Sequence, residues 1–297
     1  MRFAHSFWSK PLLNNRFNKY TELMPVTLID YAYSFCCVKQ FGHTIRLFAD
    51  KIGAEMLSFI PYDEVVILDN LDNENIHFAA QIKFEAFKRM DLDEIHIDGD
   101  LFMKKAEVFE ILESIHTDVL YSFYEPSVYT GGPKQEHADY YKRIKNALII
   151  NKNYFKPPYD IDSSHLDYTW PNTSLIRFGN QELKDKYIKQ YYYYKNVLKN
   201  YEFGNAWPDI WIEQKHLDKL IQTGYSSRPI VYGFPSTTAN NYGVFIGFVH
   251  LGGGKCAYQR TVYNWLRALS PTMLQKAVDQ IQKYAVNPIK KEKEKDN

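Results

Sequence analysis

Residues 64–97 read EVVILDNLDNENIHFAAQIKFEAFKRMDLDEIHI, and this stretch decides the fold class. Its first part, residues 64–68, is rich in Val and Ile and predicts a buried β-strand. Residues 78–89 carry apolar side chains at helical spacing, and residues 94–97 predict a second strand. A strand–helix–strand unit of this kind is typical of parallel strands with helices on both faces of the sheet.

The same alternation continues through the rest of the 297 residues. Further strands are predicted at 2–7, 44–48, 118–123, 173–178 and 244–250, and further helices at 26–39, 53–59, 137–148, 182–201, 210–222, 258–269 and 271–284. We therefore expect an α/β fold with a mixed, mostly parallel, Rossmann-like central sheet flanked by helices. The length suits one large core, so we expect a single domain over residues 1–285 and a charged flexible tail over 286–297.

Charge and composition exclude several classes of protein. Lys and Arg total 36 against 35 Asp and Glu, which argues against a dedicated nucleic-acid binder. No apolar run approaches the roughly 20 residues of a membrane-spanning helix, and the first residues lack the features of a signal peptide. Three cysteines form neither a disulfide framework nor a zinc-binding spacing, so we expect a cytoplasmic protein with reduced thiols.

Two carboxylates follow the strand predicted at 94–97, in the sequence Asp98-Gly99-Asp100. Ligands of open α/β sheets bind beyond the carboxyl ends of the strands, which is where this pair falls. A divalent cation relieves the repulsion between neighbouring carboxylates, and oxygen ligands suit Mg²⁺ or Mn²⁺. Gly99 would allow a tight turn that aims both side chains at one point. The alternative is a solvated Asp-Gly turn.

A second candidate site lies at the end of the strand predicted at 244–250, in the sequence His250-Leu251-Gly252-Gly253-Gly254-Lys255. A glycine-rich turn exposes backbone N–H groups that can bind an anion, and a lysine after it can neutralise phosphate. A histidine before the turn can complete a metal shell. The alternative is a flexible loop after an edge strand.

Together these two motifs resemble the GT-A glycosyltransferases, especially the retaining glycogenin-like and galactosyltransferase-like groups. The chain as a whole, including its opening residues 5–11, resembles bacterial enzymes of capsule and surface polysaccharide synthesis. Those enzymes carry a D-x-D after a hydrophobic strand and an H-x-G-x-x-K near the C-terminus. The resemblance implies a GT-A fold, with Mn²⁺ or Mg²⁺ held by Asp98, Asp100 and His250. It implies that Gly252 and Lys255 contact the diphosphate of the donor.

The resemblance also implies a reaction and its partners. The donor would be a nucleotide-diphospho-sugar, with a UDP-sugar favoured, and the acceptor would be a saccharide or lipid-linked hydroxyl. Transfer would proceed with retention at the anomeric carbon. The protein would act in the cytoplasm, with peripheral binding at the inner membrane face as an option.

Weaker matches to the same family lie in the expected order along the chain. Lys83, on the helix before the D-x-D strand, would contact the donor; the alternative is an ordinary exposed lysine. Asn172 and Ser174 resemble a sugar-binding F-N-[ST]-G segment. Glu213 and Gln214 resemble a helical D-Q element, in which Glu213 would stabilise charge at the anomeric carbon or contact the sugar. The alternative for Glu213 is a carboxylate on the helix surface.

The end of the first strand receives the nucleotide base in this family, which points to His5, Ser6 and Trp8. The Trp8 ring could stack on a uracil, although aromatic residues at strand ends are more often part of the core.

Two other functions compete with glycosyl transfer. A haloacid-dehalogenase-type phosphatase has D-x-D-G-[TV] after a strand, whereas Leu101 and Phe102 follow the pair here. A non-catalytic protein that binds nucleotide sugars or carbohydrates with the same fold is the second alternative.

Overall fold

A computed structural model describes residues 1–14, 20–71, 78–126, 169–198, 211–231, 247–251 and 255–285. The strands within these ranges are β1 (Arg2–Phe7), β2 (Thr44–Ala49), β3 (Glu64–Ile67), β4 (Ile95–Ile97), β5 (Leu101–Met103), β6 (Val119–Pro126), β7 (Thr169–Phe178), β8 (Ser227–Pro229) and β9 (Phe248–His250). The α-helices are α1 (Ser9–Leu13), α2 (Tyr20–Lys39), α3 (Lys51–Met56), α4 (Gln81–Arg89), α5 (Ala106–Ser114), α6 (Gln181–Leu198), α7 (His216–Ile221), α8 (Lys255–Leu269) and α9 (Pro271–Ala285). The helix predicted at 137–148 and the tail 286–297 lie outside the described residues.

The chain divides by its contacts into two compact units. Over their described residues, unit 1 comprises Met1–Ile76, Glu94–Ser114 and Gly243–Asn297, and unit 2 comprises His77–Asp93 and Ile115–Tyr242. The single domain expected over residues 1–285 stays a prediction.

Four strands of unit 1 pair in parallel in the order β3–β2–β1–β4. Phe3 of β1 lies between Ile45 of β2 and Ile95 of β4. The residues of β1 after its first are all buried, as expected for a parallel strand covered on both faces. Because these strands run in one direction, their carboxyl ends share one edge, and β4 runs into Asp98 there.

The strand predicted at 64–68 forms, but the expectation that it is buried is wrong. β3 stands at the end of the strand order within unit 1, and Val65 and Ile67 are 48% and 39% exposed. An apolar run predicts a strand from local preferences, whereas burial depends on what covers the strand.

Helix α2 lies beside the short strand β5 and also packs against α8 and α9. The ring of Tyr33 on α2 lies 4.9 Å from that of Phe102 and 5.7 Å from that of Trp265, between ring centroids. Neither β5 nor α5 was expected from the sequence. α2 therefore borders the segment that follows the two aspartates.

The described part of unit 2 has strands in the order β7–β6–β8, with β6 antiparallel to β7 and parallel to β8. Helix α6 buries Tyr187, Tyr191 and Tyr194, whose spacing places them on one helical face. The ring of Tyr191 stacks on Phe84 of α4 at a centroid distance of 3.7 Å. These tyrosines therefore serve as core residues.

Parallel pairings predominate within the two units, and helices pack on the strands. The predicted fold class, α/β with mixed and mostly parallel strands flanked by helices, is confirmed. Among the described helices, none combines the length and the hydropathy needed to cross a membrane.

Candidate functional site

The two aspartates form the connection between β4 and β5. The backbone N–H of Leu101 donates to the carbonyl oxygen of Asp98 at 3.0 Å, which closes a tight turn. Asp100 is buried, whereas Asp98 is partly exposed. Gly99 does not adopt a positive φ; among the described glycines, positive values occur at Gly42, Gly224 and Gly247. The turn therefore does not need a glycine for its backbone conformation, contrary to the sequence-based reasoning.

His250 reaches this turn through strand pairing. β5 and β9 run antiparallel with Leu101 opposite His250, and the N–H of Leu251 donates to the carbonyl oxygen of Asp100 at 3.2 Å. His250 Nε2 lies 3.7 Å from Asp100 Oδ1. Three ligand atoms, one each from Asp98, Asp100 and His250, all lie within 4.8 Å of one another. The structure thus brings His250 to two aspartates that lie far from it in the sequence.

The chemistry of this donor set suits a divalent cation. Two carboxylates and one imidazole offer oxygen and nitrogen ligands, and neighbouring carboxylates repel each other without a counter-charge. Mg²⁺ and similar ions keep about six ligands and often share them with phosphate oxygens. Asp98 and His250 are only partly buried, so the group remains accessible to a ligand.

Tyr31 of α2 adjoins this group and was not found by sequence reasoning. Its hydroxyl donates to the carbonyl oxygen of Ser6 at 2.6 Å. Burial and then the neighbouring Asp98 raise the pKa of Tyr31 well above its usual value, so the hydroxyl stays protonated. The glycine between the two aspartates was the one feature of the sequence that could have indicated a close neighbour. The sequence does not show that this neighbour is Tyr31.

The residues expected to receive a base lie at the end of β1. Ser6 is buried, and its Oγ lies 2.8 Å from Nε2 of the buried His96. Trp8 is only 4% exposed. Almost none of the Trp8 ring is therefore exposed for stacking on a base. The side chain is a core residue, which is the alternative given above. His96 is a packed strand residue, as its alternation with Ile95 and Ile97 predicts.

A second polar cluster lies within unit 2. Lys83 Nζ on α4 donates to Glu213 Oε1 at 2.8 Å, and the Thr173 hydroxyl of β7 donates to the same oxygen. The Tyr187 hydroxyl donates to the backbone carbonyl of Glu213 at 2.9 Å. Glu213 is 7% exposed and Lys83 is 15% exposed in their side chains.

These contacts exclude the structural alternatives given above for Lys83 and Glu213. Lys83 is not an ordinary exposed lysine, and Glu213 is not on a helix surface; each is part of a buried ion pair. Glu213 lies on a π-helical turn, Trp211–Lys215, where an α-helix was predicted. Thr173 lies between the two residues predicted from the family segment, Asn172 and Ser174, and was not itself predicted to belong to the site.

Those neighbours, Asn172 and Ser174, are both buried and use their side chains locally. Asn172 Oδ1 accepts from the N–H of Ser174 at 2.9 Å, and Ser174 Oγ lies 2.7 Å from Ser122 Oγ. Their sugar-binding role stays a prediction.

The remaining predicted residues are less completely described. Gln214 is half-buried on the π-helical turn beside Glu213. Lys255 begins α8, but its side chain is outside the described part of the structure, and Gly252 lies outside the described residues.

Comparison with known proteins gives three findings. A family model described as "Family of unknown function (DUF6734)" matches residues 1–117. No curated protein gives a significant match. A crystal structure of the glycosyltransferase GlyE of Streptococcus pneumoniae TIGR4 shares 12% identity at a TM-score of 0.47, covering 95% of this chain and 63% of that one. Its apo form shares 12% identity at a TM-score of 0.38, covering 76% and 44%. The chain thus spans less than two thirds of these proteins, and its activity must be inferred from its own residues.

Proposed function

We propose that this protein is a metal-dependent glycosyltransferase that moves a sugar from a nucleotide-diphospho-sugar to a hydroxyl acceptor, with retention at the anomeric carbon. The observation that supports it is the convergence of Asp98, Asp100 and His250. The D-x-D and H-x-G-x-x-K motifs that resemble the GT-A enzymes contribute those three residues, and a joint metal site explains why two such motifs converge.

The finer features of the proposal follow the family resemblance. The donor is a UDP-sugar, and the acceptor is a saccharide or lipid-linked hydroxyl. The reaction takes place in the cytoplasm or at the inner membrane face, in the synthesis of a bacterial surface polysaccharide.

Departure of the diphosphate from the anomeric carbon is the difficult step, because negative charge develops on the leaving oxygen. Asp98, Asp100 and His250 would hold Mn²⁺ or Mg²⁺, which supplies positive charge to that diphosphate when bound. In this proposal the ammonium group of Lys255 would add a second positive charge against the same oxygens. Preorganised charges of this kind account for much of the rate enhancement of many enzymes.

The role proposed for Glu213 needs a carboxylate in a fixed place. The Lys83 ammonium and the Thr173 hydroxyl both donate to its Oε1. Two donors to one oxygen restrict the rotation of the carboxylate. A carboxylate so held can stabilise positive charge on a sugar ring.

Replacing Asp100 by asparagine tests the metal site with little change in size. Without that charge, Mn²⁺ should no longer raise the melting temperature in the presence of UDP, since ligand binding stabilises the native state by mass action. Transfer and donor hydrolysis should fall by about 10²–10³ or more, as for loss of other preorganised charges. A panel of UDP- and GDP-sugars with and without Mn²⁺ measures both effects.

The matched control is Asp279→Asn on α9, where the carboxylate bonds only to Gln275 among the hydrogen bonds described for it. It should leave binding and transfer unchanged. Wild-type rates in Asp100→Asn would reject the site, and NMR of the product's anomeric configuration would decide retention.

One observation favours the non-catalytic alternative, a nucleotide-sugar-binding protein. The polar groups of Ser174, Lys83 and Glu213 bond to other residues of this chain. Mn²⁺-dependent binding of a nucleotide sugar, without hydrolysis or transfer over a broad set of acceptors, would establish that alternative.

A further inference from the structure

The turn that carries the two aspartates packs directly against an aromatic ring of α2. A Cβ placed on Gly99 would lie 2.6 Å from Cζ of Tyr31 and closer still to two other atoms of that ring. Real Cβ atoms essentially never approach so closely. Since Gly99 has no positive φ, the ring, not the backbone conformation, excludes a side chain there. The backbone of the turn therefore packs directly against the ring of Tyr31.

The position of that ring is itself determined by β1. The Tyr31 hydroxyl donates to the carbonyl oxygen of Ser6 at 2.6 Å. The ring makes edge contacts with His5 and Phe7 at centroid distances of 5.1 and 5.2 Å. Three contacts with the buried strand β1 therefore fix the ring of Tyr31, and this ring in turn limits where the backbone of Gly99 can lie.

A second residue of α2 contacts the end of the same turn. Ser34, three residues after Tyr31 and so on the same helical face, donates its hydroxyl to the carbonyl oxygen of Leu101 at 2.7 Å. His5 Nε2 lies 3.0 Å from this hydroxyl. One face of α2 therefore fixes both the middle of the turn and its end.

We propose that Tyr31 is a positioning residue that holds Asp98 and Asp100 in a convergent arrangement before a cation binds, an inference that rests on the metal site proposed above. Two carboxylates this close repel each other, and a turn without support would separate them in the metal-free protein. A ring that supports the turn removes that freedom, so less of the binding free energy is spent on rearrangement.

The same support sets a preference among cations. Mg²⁺ needs near-ideal geometry at about 2.0–2.1 Å, whereas Ca²⁺ accepts irregular, flexible sites with ligands at about 2.3–2.6 Å. A turn that cannot open favours small ions such as Mn²⁺ and Mg²⁺. Loosening it weakens their binding more than it weakens binding of Ca²⁺.

The test compares direct Mn²⁺ binding, by EPR or calorimetry, with Ca²⁺ competition in three variants of the full chain. Tyr31→Leu removes the ring and should weaken Mn²⁺ binding by about 10–100-fold, the range seen when residues supporting metal ligands are lost. The preference for Mn²⁺ over Ca²⁺ should fall as well. Tyr31→Phe keeps the ring and should lose only a few-fold in affinity.

Phe35→Leu is the matched control, because Phe35 is a buried aromatic residue of the same helix that packs on Tyr62 at 5.3 Å. It should lower the melting temperature and leave the Mn²⁺ affinity unchanged. Equal losses of Mn²⁺ affinity in Phe35→Leu and Tyr31→Leu would overturn the proposal, since they would reflect a general loss of stability. So would an unchanged affinity and ion preference in Tyr31→Leu.

Gly99→Ala provides an independent measurement if Tyr31→Leu does not fold. Its Cβ would push the turn away from the ring, so at least a tenfold loss of Mn²⁺ affinity is expected, and an unchanged affinity would overturn the proposal. The experiments distinguish failure of this proposal from failure of the proposed function. If the wild type does not bind Mn²⁺, both proposals are refuted. If Asp100→Asn abolishes binding and Tyr31→Leu does not alter it, only the role of Tyr31 falls.

Discussion

Replacing Lys83 by methionine removes the cation of the buried ion pair in unit 2. Lys83 Nζ lies 2.8 Å from Glu213 Oε1, and the two side chains are 15% and 7% exposed. After the substitution, Glu213 Oε1 keeps only the Thr173 hydroxyl of the two donors described for it. A buried carboxylate without its counter-charge is strongly disfavoured.

The magnitude follows from the burial of the pair. Removing one partner of a buried ion pair costs about 3–5 kcal/mol, and the partial exposure of Lys83 puts the expected loss near the lower end, about 3 kcal/mol. Glu213→Gln keeps the shape and an acceptor for Thr173, so about 1–2 kcal/mol is expected for it. When Glu213→Gln has already removed the negative charge, adding Lys83→Met should cost little. The coupling free energy should therefore approach the cost of Lys83→Met alone, about 2.5–3 kcal/mol.

Urea unfolding of the wild type, both single variants and the double variant measures this coupling, provided the m-values agree. The control is the exposed pair of Lys186 and Glu182 on α6, at 47% and 69% exposure, for which a far smaller coupling is expected because water screens exposed charges. A coupling between Lys83 and Glu213 no larger than that of the control would refute the reasoning. A large coupling means that activity losses in Glu213 variants must be corrected for lost stability.

Three other predictions concern stability. Burial lowers the pKa of His216 to about 3, so below its unfolded value of about 6.5 the unfolded chain binds more protons. The free energy of unfolding is therefore highest above pH 6.5 and falls as the pH drops towards 3, by up to about 1.4 kcal/mol per pH unit. His216→Phe should reduce this dependence of the unfolding free energy on pH, measured by urea unfolding at pH 4–7. The same dependence in the variant and the wild type would contradict the assignment. Phe84→Ala removes a fully buried ring stacked on Tyr191 and should cost about 3–5 kcal/mol in chemical unfolding, with a loss below 1 kcal/mol arguing against that packing. Glu94→Ala removes the carboxylate that accepts from Nε of the half-buried Arg46 at 2.6 Å. The free energy of unfolding should fall by about 2–3 kcal/mol, measured by thermal unfolding. An effect as small as that at an exposed ion pair would exclude a structural role.

Most of the regular structure could be predicted from local pattern alone. β1, β2 and α9 lie where alternation and helical spacing place them, because those signals depend on neighbouring residues only. The π-helical turn at Trp211–Lys215 and the exposure of β3 could not be predicted, since both depend on what the rest of the chain packs against them.

For the candidate site, the sequence by itself determined the positions of Asp98 and Asp100, because two carboxylates directly after a strand must lie at the carboxyl end of that strand. Only the tertiary structure decided that His250 joins them, through the antiparallel pairing of β5 with β9. It alone decided that the ring of Tyr31 supports the turn between them. The physical reason is that such contacts join segments far apart along the chain, and the packing of the whole unit, not the local sequence, sets the distances between them.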